Sequence, residues 1–283
     1  MPNRNARAQI AAETLTVIKA GEYVAPSGRR VSIGSAISRA VTASVLVTPS
    51  DRDSLMVRAK RALADARNQT VFEVVNESTL AAARRLEAVA GGHRTAALNF
   101  ASAKHPGGGF LTGAQAQEET LARTSALYAC LERQMAYYDA NRRHHSLLYT
   151  DHLIVSPCVP VFRDDHGILL ETPWEMTILT APAPNAGSIA NAERHSLASI
   201  EPTFRQRIEM VLSAALVFDQ TAIVLGAWGC GVFGNDPAMV ARLFAEFLLD
   251  GGPFARAFTH VIFAVLDSKG DGIAPFLQTF GRA

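Results

Sequence analysis

Residues 105–119 read HPGGGFLTGAQAQEE, so that three consecutive glycines stand shortly before two adjacent glutamates. Glycines in a row cost backbone entropy and add nothing to a hydrophobic core, which indicates a close approach to the main chain or a positive φ. The unpaired N–H groups of a helix N-terminus and a bare glycine backbone both favour an anion. The segment therefore predicts an anion-binding loop followed by a helix that begins near Glu118 and carries two carboxylates.

Predicted strands and helices alternate on both sides of this segment. Short runs rich in β-branched residues are separated by stretches in which apolar residues have helical spacing. Such alternation is typical of an α/β sheet covered by helices. The predicted strands are 43–48, 70–76, 95–102, 153–156, 176–180, 221–227 and 259–266, and the predicted helices are 53–68, 79–90, 202–218 and 237–249.

The N-terminal part of the chain predicts an additional layer. A helix over 6–19 is followed by two short strands around a Pro-Ser-Gly turn within 22–33. Beyond the glutamate pair, apolar residues from Leu121 to Met135 predict one long amphipathic helix. The chain shows no internal repeat and no linker composition, so we expect a single domain over 1–283, with residues 1–40 as an N-terminal elaboration.

A second glycine loop, WGCGVFGND over 228–236, occupies the same position relative to its flanking elements as the first. Each loop follows a predicted strand and precedes a predicted helix, which is where open α/β sheets bind ligands. Two such loops suit a diphosphate, although either alone is also typical of a plain turn. Gly229, Gly231 and Gly234 fit the spacing of a dinucleotide-binding loop, but they lie near the C-terminus, and Asp250 is not clearly on a second strand, which disfavours a hydride-transfer enzyme.

Composition narrows the class of protein. The formal net charge of +1 gives no general electrostatic case for binding DNA, RNA or a membrane, and residues 1–16 lack the apolar run of a signal peptide. The three cysteines, Cys130, Cys158 and Cys230, are widely spaced without CxxC pairs, so we expect reduced thiols, no metal site and a cytoplasmic location. We also expect a monomer that needs no cofactor.

The chain resembles the bacterial-type poly(ADP-ribose) glycohydrolases, which are built on a macrodomain. Their motif is three glycines, six to eight residues, and then Gln-Glu-Glu; here Gly107–Gly109 are followed by seven residues and then by Gln117, Glu118 and Glu119. The likeness extends over nearly the whole chain, through 23–32, 149–157, 159–163, 180–185 and 229–236. It implies a macrodomain-like mixed sheet sandwiched by helices.

The resemblance implies an enzyme that hydrolyses the ribose–ribose O-glycosidic bond of poly(ADP-ribose), releases ADP-ribose and so reverses ADP-ribosylation. Its partners would be the polymer and ADP-ribosylated proteins. In this family the second Glu of the motif is catalytic, here Glu119, and the first, here Glu118, positions ribose hydroxyls. The implied substrate-binding residues are Asn99, Gly107, Gly108, Gly109, Gln117, Gly229, Cys230, Gly231, Val232, Phe233, Gly234 and Asn235.

The chemistry of the two glutamates favours a single acid and base. A glycosidase that uses a nucleophile places two carboxyls about 5 Å apart across the bond, which adjacent residues at a helix start rarely do. We therefore expect Glu119 to protonate the leaving hydroxyl and then to activate water. A helix N-terminus favours an ionised carboxylate, so we expect the substrate diphosphate to favour the protonated acid by like-charge repulsion.

Two further functions and one further mechanism stay open at this point. A macrodomain that binds ADP-ribose without cutting it would have no need of the paired acids, and removal of single ADP-ribose units from proteins is an enzymatic alternative. A hydrolase that uses Cys158 or Cys230 with a histidine lacks a recognisable setting for the nucleophile. The pairs Arg142-Arg143 and His144-His145 are interpreted as solvated surface.

Overall fold

A helix and a β-hairpin at the N-terminus form the additional layer that the sequence predicted. The layer consists of α1 (Arg4–Ala20), β1 (Glu22–Val24) and β2 (Arg30–Ser32). The Asn3 side chain caps the start of α1, and Gly21, with a φ of 70°, ends it. The hydroxyl of Tyr23 donates a hydrogen bond of 2.8 Å to the Leu170 carbonyl, which fastens the hairpin to the rest of the chain.

Seven strands form one mixed sheet in the structure, a computed structural model that describes residues 2–88 and 94–281. The strands are β3 (Val45–Val47), β4 (Val71–Val75), β5 (Thr95–Phe100), β6 (Leu153–Arg163), β7 (Leu169–Ala181), β8 (Ala222–Leu225) and β9 (His260–Ala264). Their order is β3-β6-β7-β5-β8-β9-β4. The pairs from β7 to β4 are parallel, and β6 pairs antiparallel with both of its neighbours.

Helices cover both faces of this sheet, as expected for a macrodomain-like fold. They are α2 (Gly34–Ala43), α3 (Arg52–Ala64), α4 (Thr79–Ala88), α5 (Gln117–Thr124), α6 (Leu127–Glu132), α7 (Met135–Arg143), α8 (Ala186–Ala192), α9 (Ile200–Val217), α10 (Pro237–Leu248) and α11 (Ala274–Phe280). The last two residues of the helix predicted over 79–90 lie outside the described residues. No helix within 2–88 or 94–281 combines the length and the apolar character needed to cross a membrane.

Strand residues alternate between two hydrophobic clusters, one on each face of the sheet. On β5, Leu98 belongs to the cluster that includes residues of α9 and α10, whereas Ala97 belongs to the cluster on the opposite face that includes residues of α2 and α4. On β8, Ile223 and Val224 divide in the same way. Because successive side chains of a strand point to opposite faces, a strand that is apolar throughout must be covered on both sides. This burial fixes the sheet and with it the loops at its edge.

The long helix predicted after Glu118 is wrong, because the chain breaks it into α5 and α6. Ser125 adopts an extended conformation with φ −141° and ψ 177°, and it forms an isolated bridge with Val161 of β6. The Ser125 hydroxyl donates to the Leu121 carbonyl at 2.7 Å, and it accepts from the Leu127 N–H at 3.2 Å. Side-chain bonds of this kind compete with helical hydrogen bonds, so a periodic apolar pattern did not reveal the break.

Two strands are longer than the sequence predicted, and α2, α7, α8 and α11 were not predicted. β6 continues beyond Ser156 although Pro157 follows, because the register shifts between Ser156 and Val159 and places the proline at an irregularity of the ladder. The boundary at residue 40 between the N-terminal elaboration and the rest of the domain stays a prediction. It falls inside α2, whose Ile37 packs in the same hydrophobic cluster as Ile154 of the sheet.

Candidate active site

The two glycine loops lie at the same edge of the sheet. β5 and β8 are parallel neighbours, with Ala97 opposite Val224, so their carboxyl ends meet at one edge. The first loop follows β5 and leads to α5, and the second follows β8 and leads to α10. β7 is the other parallel neighbour of β5 and brings residues 182–185 to the same place. The expectation that both loops occupy one kind of position is confirmed, and the sheet makes them adjacent.

The glycine triplet holds the carboxylate of Glu119. Gly107 and Gly108 have φ values of 67° and 60°, which side chains rarely adopt. The Gly109 N–H donates a hydrogen bond of 3.0 Å to Glu119 Oε1. A Cβ built on Gly108 would collide with the same oxygen. The glycines at this point are therefore required by the chain's own carboxylate, in addition to any ligand that approaches the loop.

Glu118 is buried, with 3% of its surface exposed, and its Oε2 also lies close to Gly108. Its Oε2 accepts from the Ser102 N–H at 2.6 Å, and its Oε1 accepts from Asn99 Nδ2 at 3.3 Å. Burial raises the pKa of Glu118 to about 8, with the nearby charge of Glu119 adding to the effect, although the hydrogen bonds from Ser102 and Asn99 oppose it. Glu118 therefore carries a proton over much of the neutral range.

Asn99 and Gln117 are held by the chain itself. Asn99 is fully buried, and its amide also donates to Thr180 Oγ1 at 3.2 Å. The Gln117 amide donates to the Leu98 carbonyl at 2.7 Å, and its Oε1 accepts from the Phe100 N–H at 2.9 Å. These bonds pin the first residue of α5 to β5 and so set the direction of both glutamates. A direct contact of Asn99 or Gln117 with ribose stays a prediction.

The second loop is fastened at its two ends and open in its middle. The Asn235 amide donates to the Gly229 carbonyl at 3.0 Å and to the Pro184 carbonyl at 2.8 Å, which ties the loop to the segment after β7. A Cβ on Gly231 would meet nothing within 4 Å, and Val232 is 92% exposed. The backbone between these anchors is free to approach a ligand.

Phe233 packs against Tyr149, which sequence reasoning had not singled out. The ring centroids are 5.9 Å apart, and Tyr149 has a φ of 60°. The Tyr149 carbonyl accepts a hydrogen bond of 3.0 Å from the buried Arg207, whose guanidinium also pairs with Asp151 at 2.8 Å. This buried ion pair holds a strained residue beside the second loop. A positive φ leaves no local sequence signal at a tyrosine, so only the structure locates it.

Two buried tyrosines lie behind Glu118, and these were also missed. Tyr137 and Tyr138 are fully buried in α7, with ring centroids 4.8 Å apart. Burial raises the pKa of both hydroxyls, and the charge of Glu118 adds to the effect. The helix predicted from the apolar pattern reached only Met135, so nothing in the sequence indicated that Tyr137 and Tyr138 lie close to Glu118.

The thiols do not support a cysteine nucleophile. Burial raises the pKa of Cys230 to about 12, with the charge of Asp236 adding to the effect, so its thiol stays protonated. Burial likewise raises the pKa of Cys130 to about 11 and that of the exposed Cys158 by less. Among residues 2–88 and 94–281, no group of three or more His, Cys, Asp or Glu side chains is placed to hold a metal ion.

Comparison with known proteins identifies relatives over almost the whole chain. The family described as microbial-type PARG, catalytic domain, matches residues 11–164, which is more than half of the sequence. Poly(ADP-ribose) glycohydrolase from Thermomonospora curvata, bound to the inhibitor ADP-HPD, is 49% identical with a TM-score of 0.89, over 97% of this chain and 99% of that one. A comparison with curated proteins gave no match.

Another solved structure resembles the chain over a smaller part. Poly(ADP-ribose) glycohydrolase from Deinococcus radiodurans, in complex with ADP-ribose, is 48% identical with a TM-score of 0.80. The match covers 87% of this chain and 97% of that one. A variant of the Thermomonospora curvata enzyme, in which one glutamate is replaced by alanine, is 48% identical over 98% of this chain with a TM-score of 0.90.

Proposed function

The chain belongs to the microbial-type poly(ADP-ribose) glycohydrolase family, and we propose that Glu119 is its general acid and base. The protein is a poly(ADP-ribose) glycohydrolase, a hydrolase of the ribose–ribose O-glycosidic bond that releases ADP-ribose. One observation carries the assignment of Glu119. Of the two adjacent carboxyls, Glu118 is enclosed, whereas Glu119 is partly exposed and rests on the N–H of Gly109. Glu119 is therefore the more accessible of the two carboxyls.

Cleavage needs a proton for the leaving hydroxyl and stabilisation of an oxocarbenium-like ribose. A positioned carboxylic acid that donates this proton accelerates the reaction by about 10²- to 10⁴-fold. Because Glu118 faces Ser102 and Asn99, the pair does not straddle a bond, which supports a single carboxyl that acts in turn as acid and as base for water. Bound diphosphate would favour the protonated form of Glu119 and would stabilise the developing cation.

In this proposal Glu118 positions the ribose and takes no part in the proton transfer to the leaving group. A carboxyl that keeps its proton near neutral pH adds no second negative charge beside the substrate diphosphate. Its proton is available to a ribose hydroxyl, which agrees with the role that the family resemblance implies. Asn99 and Gln117 then act as positioning residues, since their amides hold Glu118 and the start of α5.

The two glycine loops bind the diphosphate and the terminal ribose. The first loop ends at the N-terminus of α5, and the second offers the unobstructed backbone at Gly231. Peptide N–H groups and helix N-termini bind phosphate without a net charge on the protein, which agrees with the neutrality of this chain. Phe233, supported by Tyr149, orients the sugar, and the backbone of Cys230, Val232 and Gly234 completes the loop.

The site is made by one chain, since both loops and both glutamates come from a single sheet edge. This supports action as a monomer on the polymer and on proteins that carry it. Three free cysteines are typical of a reducing compartment, which supports a cytoplasmic location.

One assay separates the proposed activity from its alternatives. The protein is incubated with poly(ADP-ribose) and, separately, with a protein that carries single ADP-ribose units, and free ADP-ribose is measured. We expect release from the polymer. Release from the mono-modified protein alone would indicate a mono-ADP-ribosyl hydrolase, and binding without release from either substrate would indicate a reader. Either result would contradict the proposal.

A further inference from the structure

Six exposed basic side chains surround one side of the active-site mouth, and we call this surface the basic rim. Two precede the glycine triplet, and four lie at the end of α7 and just beyond it. They are Lys104, His105, Arg142, Arg143, His144 and His145. The sequence separates the two groups by 36 residues and gives no reason to connect them, which is why the arginine pair was interpreted as ordinary solvated surface.

A direct hydrogen bond joins the two groups. Arg142 Nη2 donates to the Lys104 carbonyl at 2.6 Å. The Gly108 N–H donates a hydrogen bond of 3.0 Å to the His105 carbonyl, so the backbone between His105 and the glycine triplet forms a tight turn. The rim therefore begins within a few residues of the backbone that holds Glu119.

The other end of the rim is fastened toward the second glycine loop. Asn141 Oδ1 accepts from the Thr150 N–H at 2.8 Å and from its hydroxyl at 2.9 Å. This keeps the end of α7 beside Tyr149, whose ring packs on Phe233. The segment 142–150 thus runs from the first loop to the second, along the edge where the ligand enters.

Two carboxylates lie close to the basic side chains of the rim, Asp139 on α7 and Glu193, which accepts hydrogen bonds from Ser146 and Leu147 just beyond His145. Arg142 pairs with Asp139 at 3.0 Å, a contact between exposed groups that contributes little. In the described ranges 2–88 and 94–281, neither Lys104 nor Arg143 takes part in an ion pair. In a chain whose formal net charge is only +1, such a surface beside the catalytic carboxyl is a local preference for anions.

We propose that the basic rim binds the diphosphates of the ADP-ribose units that follow the one being cut. This inference rests on the proposed function, since it concerns the rest of the same polymer. When the terminal unit occupies the two glycine loops, the scissile bond lies at Glu119, and the basic rim begins within a few residues of the backbone that holds this carboxylate. Each further unit carries a charged diphosphate, so the rim discriminates a polymer from free ADP-ribose.

The test compares two pairs of alanine substitutions in a Glu119→Gln background that leaves the polymer uncut. One pair is Lys104→Ala with Arg143→Ala. The matched control is Arg58→Ala with Lys60→Ala, which removes the same charge from an exposed face of α3. The Kd of long poly(ADP-ribose) and the Kd of ADP-ribose are measured at two salt concentrations. We expect the rim pair to bind the polymer about tenfold more weakly, with a smaller salt dependence and an unchanged Kd for ADP-ribose.

Equal losses in the two pairs, or a parallel loss for ADP-ribose, would overturn the inference. Single-stranded RNA of matched charge serves as a second probe. If it binds as tightly as the polymer and with the same dependence on Lys104 and Arg143, the rim is a general polyanion surface and the proposal is wrong. Failure of the proposed function is distinguished separately, because it would appear as absent release of ADP-ribose by the unsubstituted protein, and the binding comparison would still decide the role of the rim.

Discussion

The two glycine loops occupy equivalent positions at the sheet edge, yet their glycines serve different purposes. In the first loop, Gly107 and Gly108 have positive φ, and a side chain there would collide with Phe110 or with Glu119. In the second loop, Gly231 has open space around it, and the loop is held at its ends by Asn235. The first loop is shaped by the enzyme's own carboxylate, whereas the middle of the second is left free for the substrate. In the proposed function both loops bind the ligand, but only the first also holds the carboxylate of Glu119.

The largest expected effect tests whether the chemistry resides at the first loop. Glu119→Gln removes the acid but keeps a group that can accept the hydrogen bond from Gly109, so hydrolysis of poly(ADP-ribose) should fall by up to about 10⁴-fold. The Kd of ADP-ribose, measured by calorimetry, should change little. A loss of binding with retained hydrolysis would reverse the roles given to the two loops.

The next effect concerns Glu118 and pH. Its pKa is raised from 4.5 to about 8 by burial, so folding binds a proton and the free energy of unfolding should fall as pH rises from about 4.5 to about 8. Glu118→Gln removes this dependence, so from pH 5 to pH 9 the parent protein should lose on the order of 4 kcal/mol of stability relative to the variant. Urea unfolding at pH 5 and pH 9 measures it.

The comparison at pH 5 is the internal control, because the native carboxyl and the glutamine are both uncharged there. Equal stability gaps between Glu118→Gln and the parent protein at pH 5 and pH 9 would show that Glu118 is ionised in the native protein throughout. The Glu118 carboxyl would then not supply a proton to a ribose hydroxyl.

A third prediction contrasts one glycine from each loop. Gly108→Ala must move the Glu119 carboxylate and strain a positive φ, so we expect a rate loss of about 10²-fold and a destabilisation of about 1–3 kcal/mol. Gly231→Ala has room and should leave the free energy of unfolding within about 0.5 kcal/mol. Steady-state kinetics and urea unfolding of both variants measure the contrast. Similar behaviour of the two would remove the difference between the loops.

The smallest effect concerns the anchor of the second loop. Asn235→Ala loses two hydrogen bonds to backbone carbonyls, and each lost bond weakens the anchor by about 1 kcal/mol. We expect the Kd of ADP-ribose to rise about tenfold, with kcat nearly unchanged. Asn68→Ala is the matched control, since its amide also donates to two carbonyls, those of Arg256 and Ala257, away from the loops. A fall in kcat for Asn235→Ala alone would extend the chemistry to the second loop.

Much of the fold could be predicted because apolar periodicity reflects which face of an element is buried. Local pattern predicted β5, β8, the N-terminal hairpin and α10, which begins at Pro237. The break at Ser125 could not be predicted, since its side chain replaces helical bonds with local ones while its backbone bridges to Val161. The extension of β6 past Pro157 depends on a shift of register between two strands, which neither strand encodes alone.

For the candidate site too, some residues could be predicted from the sequence and others could not. The glutamate pair and the two glycine loops are visible as short motifs, and their positions after strands predict that they share an edge. The residues that hold these motifs in place could not be predicted from the sequence. Tyr149 packs on Phe233, Arg207 bonds to the Tyr149 carbonyl, and two buried tyrosines lie near Glu118, all from other segments of the chain. Such partners are chosen by packing in three dimensions and leave no spacing that a single sequence displays.

From the amino-acid pattern alone, Gln117, Glu118 and Glu119 could be predicted as site residues, because they follow three glycines and the strand and helix pattern places them at a sheet edge. What distinguishes the two glutamates became apparent only from their packing in three dimensions. Glu118 and Glu119 are neighbours with the same side chain, but one turns into the core toward Ser102 and the other rests on Gly109. Burial raises the pKa of Glu118, and burial depends on the surrounding elements rather than on the two residues themselves.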